Sequence, residues 1–311
     1  MSSPVWDPDR PIETDLAERT IVTQFPELTG QPVRRIGAGW DNAVFGVGER
    51  WVFRFIHRST ALEGSAAELV VLAALPPDLP LPVPRPRFIG TPTPEVPWPF
   101  WGAALLPGTE IAETDLPDDA RSGVATALGA FLRRLHQPDL VDRVSDLASA
   151  RGVGLRVDPL SRASPASIVP RVRETLARSR ASGALGPDAA VDQALAEAEH
   201  LAAPAQDPVV VHGDLHIRHV LIDRGRASAV IDWGDAGLGF PETDLMIGFQ
   251  AFAGAARRAF LAAYGPVGAD TVLRARTLAV HVAAALNEQA SADGVEAVGR
   301  AARTALARAA R

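Results

Sequence analysis

Apolar positions in the first third of the 311-residue chain follow two different periods. Residues 12–25 and 60–75 carry them at helical spacing, which predicts two helices. Between these helices lie the runs PVRRIGAG, NAVFGVG and WVFRFIH, and their β-rich composition with Gly-rich or charged separators is typical of an antiparallel meander. A proline-rich connector around a strand at 86–90 follows, and WGAALL at 101–106 predicts a buried strand that a Pro-Gly pair ends.

Helical spacing dominates the chain after residue 117, where Ala, Leu and Arg prevail. The pattern predicts helices over roughly 117–136, 167–182, 188–203, 242–264 and 269–308. The exception is 208–235, which predicts strand, loop, strand, turn and strand, and which holds the densest polar residues of the chain. We therefore expect an α+β fold with two lobes, a small β-rich lobe over residues 1–106 and a larger helical lobe over 107–311.

The composition of the chain argues against several classes of function. A net charge of −6 argues against nucleic acid as a partner, and no apolar run is long enough to cross a membrane. The N-terminus lacks the apolar stretch of a signal peptide, so we expect a cytoplasmic protein. Without cysteine there are no thiol nucleophiles or Cys-based zinc sites. The sequence also has no lysine, which excludes a Walker A loop and a Schiff base, and any cation that holds phosphate must be an arginine.

The polar segment HGDLHIRH carries the main chemical signal. Asp214 lies five residues before His219, and Asp232 follows the next pair of strands and begins the turn Asp-Trp-Gly. Protein kinases place a catalytic Asp and a metal-binding Asn at the same spacing, followed by an Asp-x-Gly turn that holds the main metal ion. The sequence therefore predicts Asp214 as the catalytic base and His219 and Asp232 as ligands of a divalent ion.

Two further histidines of this segment have less direct roles in this interpretation. We expect His212 to orient the loop through backbone hydrogen bonds and His216 to pack within it. Their i, i+4 spacing also matches the zinc-binding helix H-E-x-x-H, which is an alternative. The zinc motif needs a helix and a Glu after the first His, whereas here VVV precedes His212 and Gly-Asp follows it, which favours a strand and a turn.

The N-terminal runs contain candidate nucleotide contacts. Gly37 and Gly39 lie between two predicted strands, where glycine lets the backbone approach phosphates. Kinases use a lysine on the third strand, paired with a helix Glu, to hold phosphates. The corresponding strand offers Arg54 and the next helix offers Glu68, which shares a stripe with apolar residues and is therefore preferred to Glu63.

Nearly the whole chain resembles the aminoglycoside/macrolide phosphotransferase family. The resemblance rests on the segments GAGWDNAVF, VFRF, AAELVVLAAL, PFWGAALLPG, VVVHGDLHIRHVLID and VIDWGDAGLGFPETDL. Most members have Asn at the second metal position, where this chain has His219. That variant, together with GWDN and VFRF, is similar to macrolide 2′-phosphotransferases, which phosphorylate the desosamine 2′-hydroxyl and favour GTP.

The resemblance implies a kinase-like fold with GTP as phosphate donor, ATP as a possible donor, and Mg²⁺ as the metal ion. It implies a macrolide antibiotic as the partner, the segment from Ala104 to Leu106 as the purine contact, and Asp244 as a structural residue. Three alternatives stay open: an aminoglycoside kinase, a kinase of a small metabolite alcohol, and a pseudokinase that serves as a binding module.

Overall fold

The computed structural model describes residues 8–38, 41–181, 183 and 185–311. They form two compact units. The first contains the chain up to Ala73 together with Val83–Leu106, and the second contains Ala74–Pro82 and Pro107–Arg311. The first unit is built on a β-sheet and the second is mostly helical. The expected α+β class with a small β-rich part and a larger helical part is confirmed.

The first unit holds a five-stranded antiparallel sheet with the order β1-β2-β3-β5-β4. The strands are β1 (Val33–Ala38), β2 (Asn42–Val47), β3 (Trp51–Ile56), β4 (Phe88–Gly90) and β5 (Phe100–Ala104), and the helices are α1 (Thr14–Gln24) and α2 (Leu62–Ala74). The predicted meander, the short strand after the prolines and both helices are therefore present.

Alternation along β3 decides which side chains of the sheet enter the core. Phe53 and Phe55 are fully buried, and the ring of Phe55 stacks on Phe100 with centroids 4.4 Å apart. A Cβ atom on Gly102 would lie 2.6 Å from the ring of Phe53, so glycine is required for this packing. Because neighbouring side chains of a strand point to opposite faces, Arg54 projects away from the aromatic core.

The second unit surrounds two small sheets with helices. Its strands are β6 (Thr109–Glu110), β7 (Val209–Val211), β8 (Val220–Asp223), β9 (Arg226–Val230) and β10 (Gly237–Gly239). They form the sheet β6-β8-β9 and the antiparallel pair β7-β10. The helices are α3 (Ser122–Leu135), α4 (Pro138–Ala150), α5 (Pro165–Ala181), α6 (Ala189–Ala198), α7 (Glu242–Ala251), α8 (Gly254–Tyr264), α9 (Ala269–Asp293) and α10 (Glu296–Ala309).

Three features of these helices differ from the sequence prediction. The helix predicted over 242–264 is broken in two, because Phe252 adopts an extended conformation. The helix predicted over 269–308 is also two helices, because Gly294 adopts a left-handed conformation and ends α9. Helix α4 was not predicted, although Leu140 and Val144 bury one face of it. Among the described helices, none combines the length and the apolar character that crossing a bilayer requires.

Candidate active site

A buried aspartate fixes the backbone of the loop after β7. The amides of His212 and Gly213 donate to Oδ2 and Oδ1 of Asp244, at 2.8 and 3.0 Å. Asp244 lies in the first turn of α7 and is fully buried, and its Oδ2 also lies 3.1 Å from Nε2 of His136. The carboxylate therefore ties the loop to the helical core through two backbone hydrogen bonds.

Gly213 brings this loop close to the turn that follows β9. Its φ is +88°, and a Cβ atom there would lie 2.1 Å from the carbonyl oxygen of Asp235. Both the backbone conformation and the close approach exclude any other residue. The turn also contains Trp233, which is fully buried, donates to the carbonyl of Val230 at 3.1 Å, and packs against the ring of His212.

His219 and Asp232 meet at the open end of the β8–β9 hairpin. His219 immediately precedes β8 and Asp232 follows β9, and the register pairs Val220 with Val230. This pairing places Nε2 of His219 3.4 Å from Oδ2 of Asp232. The ring nitrogen Nδ1 of His219 donates to the carbonyl of Asp214 at 2.8 Å, since a carbonyl can only accept. In the neutral ring, Nε2 therefore carries the lone pair.

These groups fit a divalent cation. Burial, with the nearby His216, lowers the pKa of His219 from its ordinary value and so favours the neutral ring that a metal ion needs. The other member of the pair, Asp232, has a carboxylate, which is a ligand that Mg²⁺ accepts. Ligand atoms of Asp214 and His219 also lie within 4.8 Å of each other. The hairpin thus presents an imidazole nitrogen and a carboxylate oxygen beside Asp214.

Asp214 presents a partly open carboxylate between two basic side chains. Its side chain is 28% exposed, with Oδ2 3.5 Å from Nε2 of His216 and Oδ1 3.5 Å from Nη2 of Arg162. Burial by itself would raise the pKa of Asp214, but His216 and Arg162 outweigh it and lower the pKa well below its ordinary value. The lowered pKa favours the ionised carboxylate, which can accept a hydrogen bond from an acceptor hydroxyl.

The sequence analysis assigns His216 only to packing within the loop, but in the structure its ring also contacts Asp214 and His219. Its ring stacks on that of His219 with centroids 3.8 Å apart. Its Nδ1 accepts a hydrogen bond from the amide of Arg218 at 3.2 Å, so the neutral ring carries its proton on Nε2, which faces Asp214. In this tautomer His216 presents its Nε2 proton to the carboxylate, and its ring nitrogen also lies within 4.8 Å of the ligand atoms of Asp214 and His219. No spacing rule singles out this orientation.

Arg162 was missed altogether. It lies in the segment between α4 and α5 for which the sequence predicts no element, and it contacts Gly213 O and Asp235 Oδ2 as well as Asp214. The zinc-helix alternative is not supported either. Residues 212–216 form no helix, and Nε2 of His212 bonds to the carbonyl of Ile231 at 2.9 Å.

In the first unit, Arg54 and Glu68 form a pair. Nη1 of Arg54 lies 2.9 Å from Oε1 of Glu68, and the two side chains are 12% and 2% exposed. The guanidinium also lies over the ring of Trp101, 5.6 Å from its centroid. The arrangement matches the strand-and-helix pair that the sequence predicts, with arginine in the place of lysine.

The remaining predicted nucleotide residues are less defined. Gly37 lies in β1 opposite Val44, where a Cβ atom would meet only Val44 at 3.9 Å, so the fold does not require glycine there. Gly39 lies outside the described residues. Ala104 is the exposed last residue of β5, and Leu106, two residues later, is half-buried.

Comparisons with known proteins identify a matching family and solved structures with a similar fold. The sequence profile of the "Phosphotransferase enzyme family" matches residues 32–278. Among curated protein sequences, none matches this chain significantly. The GDP complex of aminoglycoside 2′-phosphotransferase-IIIa is a solved structure with a similar fold, with a TM-score of 0.68 and 20% identity over 96% of this chain and 99% of that chain.

Macrolide enzymes are also among the similar structures. A macrolide 2′-phosphotransferase from Brachybacterium faecium, solved as the apoenzyme, has a TM-score of 0.55 and 27% identity over 94% of this chain and 97% of that chain. Macrolide 2′-phosphotransferase type I has a TM-score of 0.57 and 22% identity over 95% and 98%. Sequence identity is higher with the macrolide enzymes, whereas backbone agreement is higher with the aminoglycoside enzyme.

Proposed function

Because the chain belongs to the phosphotransferase enzyme family, we propose that it transfers the γ-phosphate of a nucleoside triphosphate to the desosamine 2′-hydroxyl of a macrolide antibiotic and so confers resistance. The observation that carries the transfer chemistry is the partly open carboxylate of Asp214 beside the His219 and Asp232 pair. The macrolide assignment is supported by His219 in place of the commoner Asn and by the higher identity to macrolide enzymes.

Charge and polarity of the segment that carries Arg162 also favour a macrolide. Aminoglycosides carry several ammonium groups and need acidic side chains to receive them, whereas a macrolide carries one amine on a large apolar ring. Asp235, which shares the turn with Asp232, already pairs with Arg162. The same segment as Arg162 exposes two apolar side chains, Val157 at 46% and Leu160 at 47%.

In this mechanism Asp214 orients the acceptor hydroxyl and takes its proton as the new oxygen–phosphorus bond forms and the nucleoside diphosphate leaves. A phosphoryl transfer with a loose transition state needs little proton removal before bond formation, so a weak base is sufficient. His219 Nε2 and Asp232 would hold the divalent cation, which neutralises charge on the nucleotide phosphates when it is bound.

On the donor side we propose that Arg54 binds the nucleotide phosphates, with Glu68 fixing its direction. We also propose GTP as the preferred donor and ATP as a possible one. The small residue Ala104 is exposed at the end of β5 and leaves room for a purine, whereas Ala103 is fully buried and contributes only to the core.

A phosphorylation screen tests the proposed function. Purified protein is incubated with macrolides, aminoglycosides and small metabolite alcohols, each with ATP and with GTP, and products are located by mass spectrometry and NMR. We expect phosphate on the desosamine 2′-oxygen and a higher kcat/KM with GTP. Phosphorylated aminoglycosides or metabolites would select the corresponding alternative, and nucleotide binding without any turnover would indicate a binding module.

Arg54→Ala is expected to raise the KM for the nucleotide several-fold more than the KM for the macrolide, because it removes the guanidinium that contacts the phosphates. Steady-state kinetics with each substrate varied in turn measure both constants. Arg34→Ala is the matched control, since Arg34 is an exposed arginine on β1 of the same sheet. A change confined to the macrolide KM would place Arg54 in the acceptor site instead.

His219→Asn is expected to keep activity with Mg²⁺ while losing part of the advantage of Mn²⁺, because imidazole suits softer first-row metals better than an amide oxygen does. The lowered pKa of His219 predicts that protons compete with the metal only below its ordinary value of 6.5. Activation curves with both metals measure the metal preference, and electron paramagnetic resonance measures Mn²⁺ binding as the pH is varied. His200→Asn, an exposed histidine, is the control, and identical metal preference in all three proteins would exclude His219 as a ligand.

A further inference from the structure

The segment between α4 and α5 is held rigidly against the site. The amide of Asp158 donates to the carbonyl of Leu238 in β10 at 2.9 Å. The carboxylate of Asp158 in turn accepts the amides of Arg162 and Ala163, at 2.8 and 3.0 Å. Asp158 and Ser161 both have positive φ values, 44° and 51°, which the turn imposes. The backbone at Arg162 is therefore fixed by a closed set of hydrogen bonds.

From this turn the Arg162 side chain reaches two separate parts of the site. Its guanidinium bonds to the carbonyl of Gly213, and its Nη2 bonds to Oδ2 of Asp235 at 2.8 Å and lies 3.5 Å from Oδ1 of Asp214. One planar group thus spans the loop that carries the base and the turn that begins with Asp232. Burial by itself would lower the pKa of Arg162, but Asp214 and Asp235 raise it above its ordinary value, so the charge is permanent.

We propose that Arg162 is a positioning residue for phosphoryl transfer, which holds the Asp214 carboxylate in its productive orientation by joining the base loop to the turn of Asp232. This inference rests on the proposed function, in which Asp214 receives the acceptor proton. Arg162 itself touches neither the acceptor nor the nucleotide in this role. The guanidinium donates from two separate nitrogens, Nη1 to the carbonyl of Gly213 and Nη2 towards the two carboxylates, whereas a lysine ammonium would have to make all three contacts from one nitrogen.

An ordinary surface ion pair would look different. Arg173 and Glu199 form such a pair at 2.9 Å, with side chains 51% and 44% exposed, and pairs of this kind contribute little to stability. Arg162 is 19% exposed and has a main-chain acceptor in addition to its carboxylates. Arg173 therefore serves as a matched control for Arg162 within the same unit.

The test compares wild type, Arg162→Ala, Arg162→Lys and Arg173→Ala. We expect Arg162→Ala to lower kcat by about 10²-fold, the cost of misplacing a reacting group by ~1 Å, with nucleotide KM nearly unchanged. Arg162→Lys should recover only part of the loss, and Arg173→Ala should behave as wild type. Millimolar methylguanidinium should restore part of kcat in Arg162→Ala and have no effect on wild type.

Hydrogen exchange of the peptide over 209–217 adds a measurement that needs no acceptor. We expect faster exchange there and over the turn 232–236 in Arg162→Ala than in wild type, with peptides outside the segments that Arg162 contacts unchanged. If wild type phosphorylates its acceptor and Arg162→Ala keeps kcat within about threefold, the positioning role is wrong while the proposed function stands. If wild type phosphorylates nothing, the proposed function fails, and unchanged exchange over 209–217 would then overturn the positioning role as well.

Discussion

Asp214→Asn is expected to lower kcat by about 10²–10⁴-fold, the usual contribution of a positioned general base. The amide keeps the size of the side chain but cannot take the proton of the acceptor hydroxyl. The KM for the nucleotide should change little, because the proposed phosphate contacts come from Arg54 and the metal ligands. Rapid-quench and steady-state kinetics with the macrolide as acceptor measure both quantities.

Asp223→Asn is the matched control for this experiment. Asp223 ends β8 in the same sheet that carries the metal-ligand candidates, but its side chain is exposed. We expect wild-type kcat and an unchanged melting temperature from the control. Near-normal kcat in Asp214→Asn would show that proton removal does not depend on this carboxylate.

Asp244→Ala is expected to destabilise the protein by about 3–5 kcal/mol, the usual cost of removing one member of a buried polar pair. The substitution leaves the buried amides of His212 and Gly213 without acceptors and takes away the partner of His136 Nε2. Because those amides fix the base loop, kcat should fall even at temperatures where the variant stays folded. Urea unfolding and kinetics at low temperature separate the two effects.

Asp270→Ala controls for the loss of an acidic residue in the first turn of a helix. Asp270 occupies that turn in α9 and is exposed, so its removal should cost less than about 1 kcal/mol, as expected for an exposed charge at a helix N-terminus. A similarly small loss from Asp244→Ala would contradict the structural role that the buried hydrogen bonds indicate.

The sheet of the first unit could be predicted because alternation and turn residues are local signals. The run WVFRFI places its phenylalanines on one face and Arg54 on the other without any long-range information. Helix ends were less predictable, because helical periodicity continues across Gly294 and hides the break there. Helix α4 was missed although Pro138 begins it and its apolar residues recur every fourth position, since the segment lies next to loops with no clear pattern.

The residues of the candidate site also differ in how well the sequence alone predicts them. His219 and Asp232 flank a hairpin, so the spacing in the sequence already determines that they meet, and Asp214 lies on the same loop as His219. Arg162 comes from 51 residues before Gly213 and 73 before Asp235, in a loop without periodicity. Only the folded chain brings such a residue to the base, and its neighbours in the sequence carry no motif that could have identified it.

The segment Ala74–Pro82 limits how the protein can be dissected. It belongs to the second unit although Val83–Leu106, which follows it, belongs to the first. The carbonyl of Pro82 accepts the amide of Val230 at 3.0 Å, at the end of β9 and close to Asp232. A fragment cloned from Pro107 onwards would lack this acceptor and the buried Leu75 and Leu81. A soluble helical fragment should therefore start at residue 74 and replace 83–106 with a short linker.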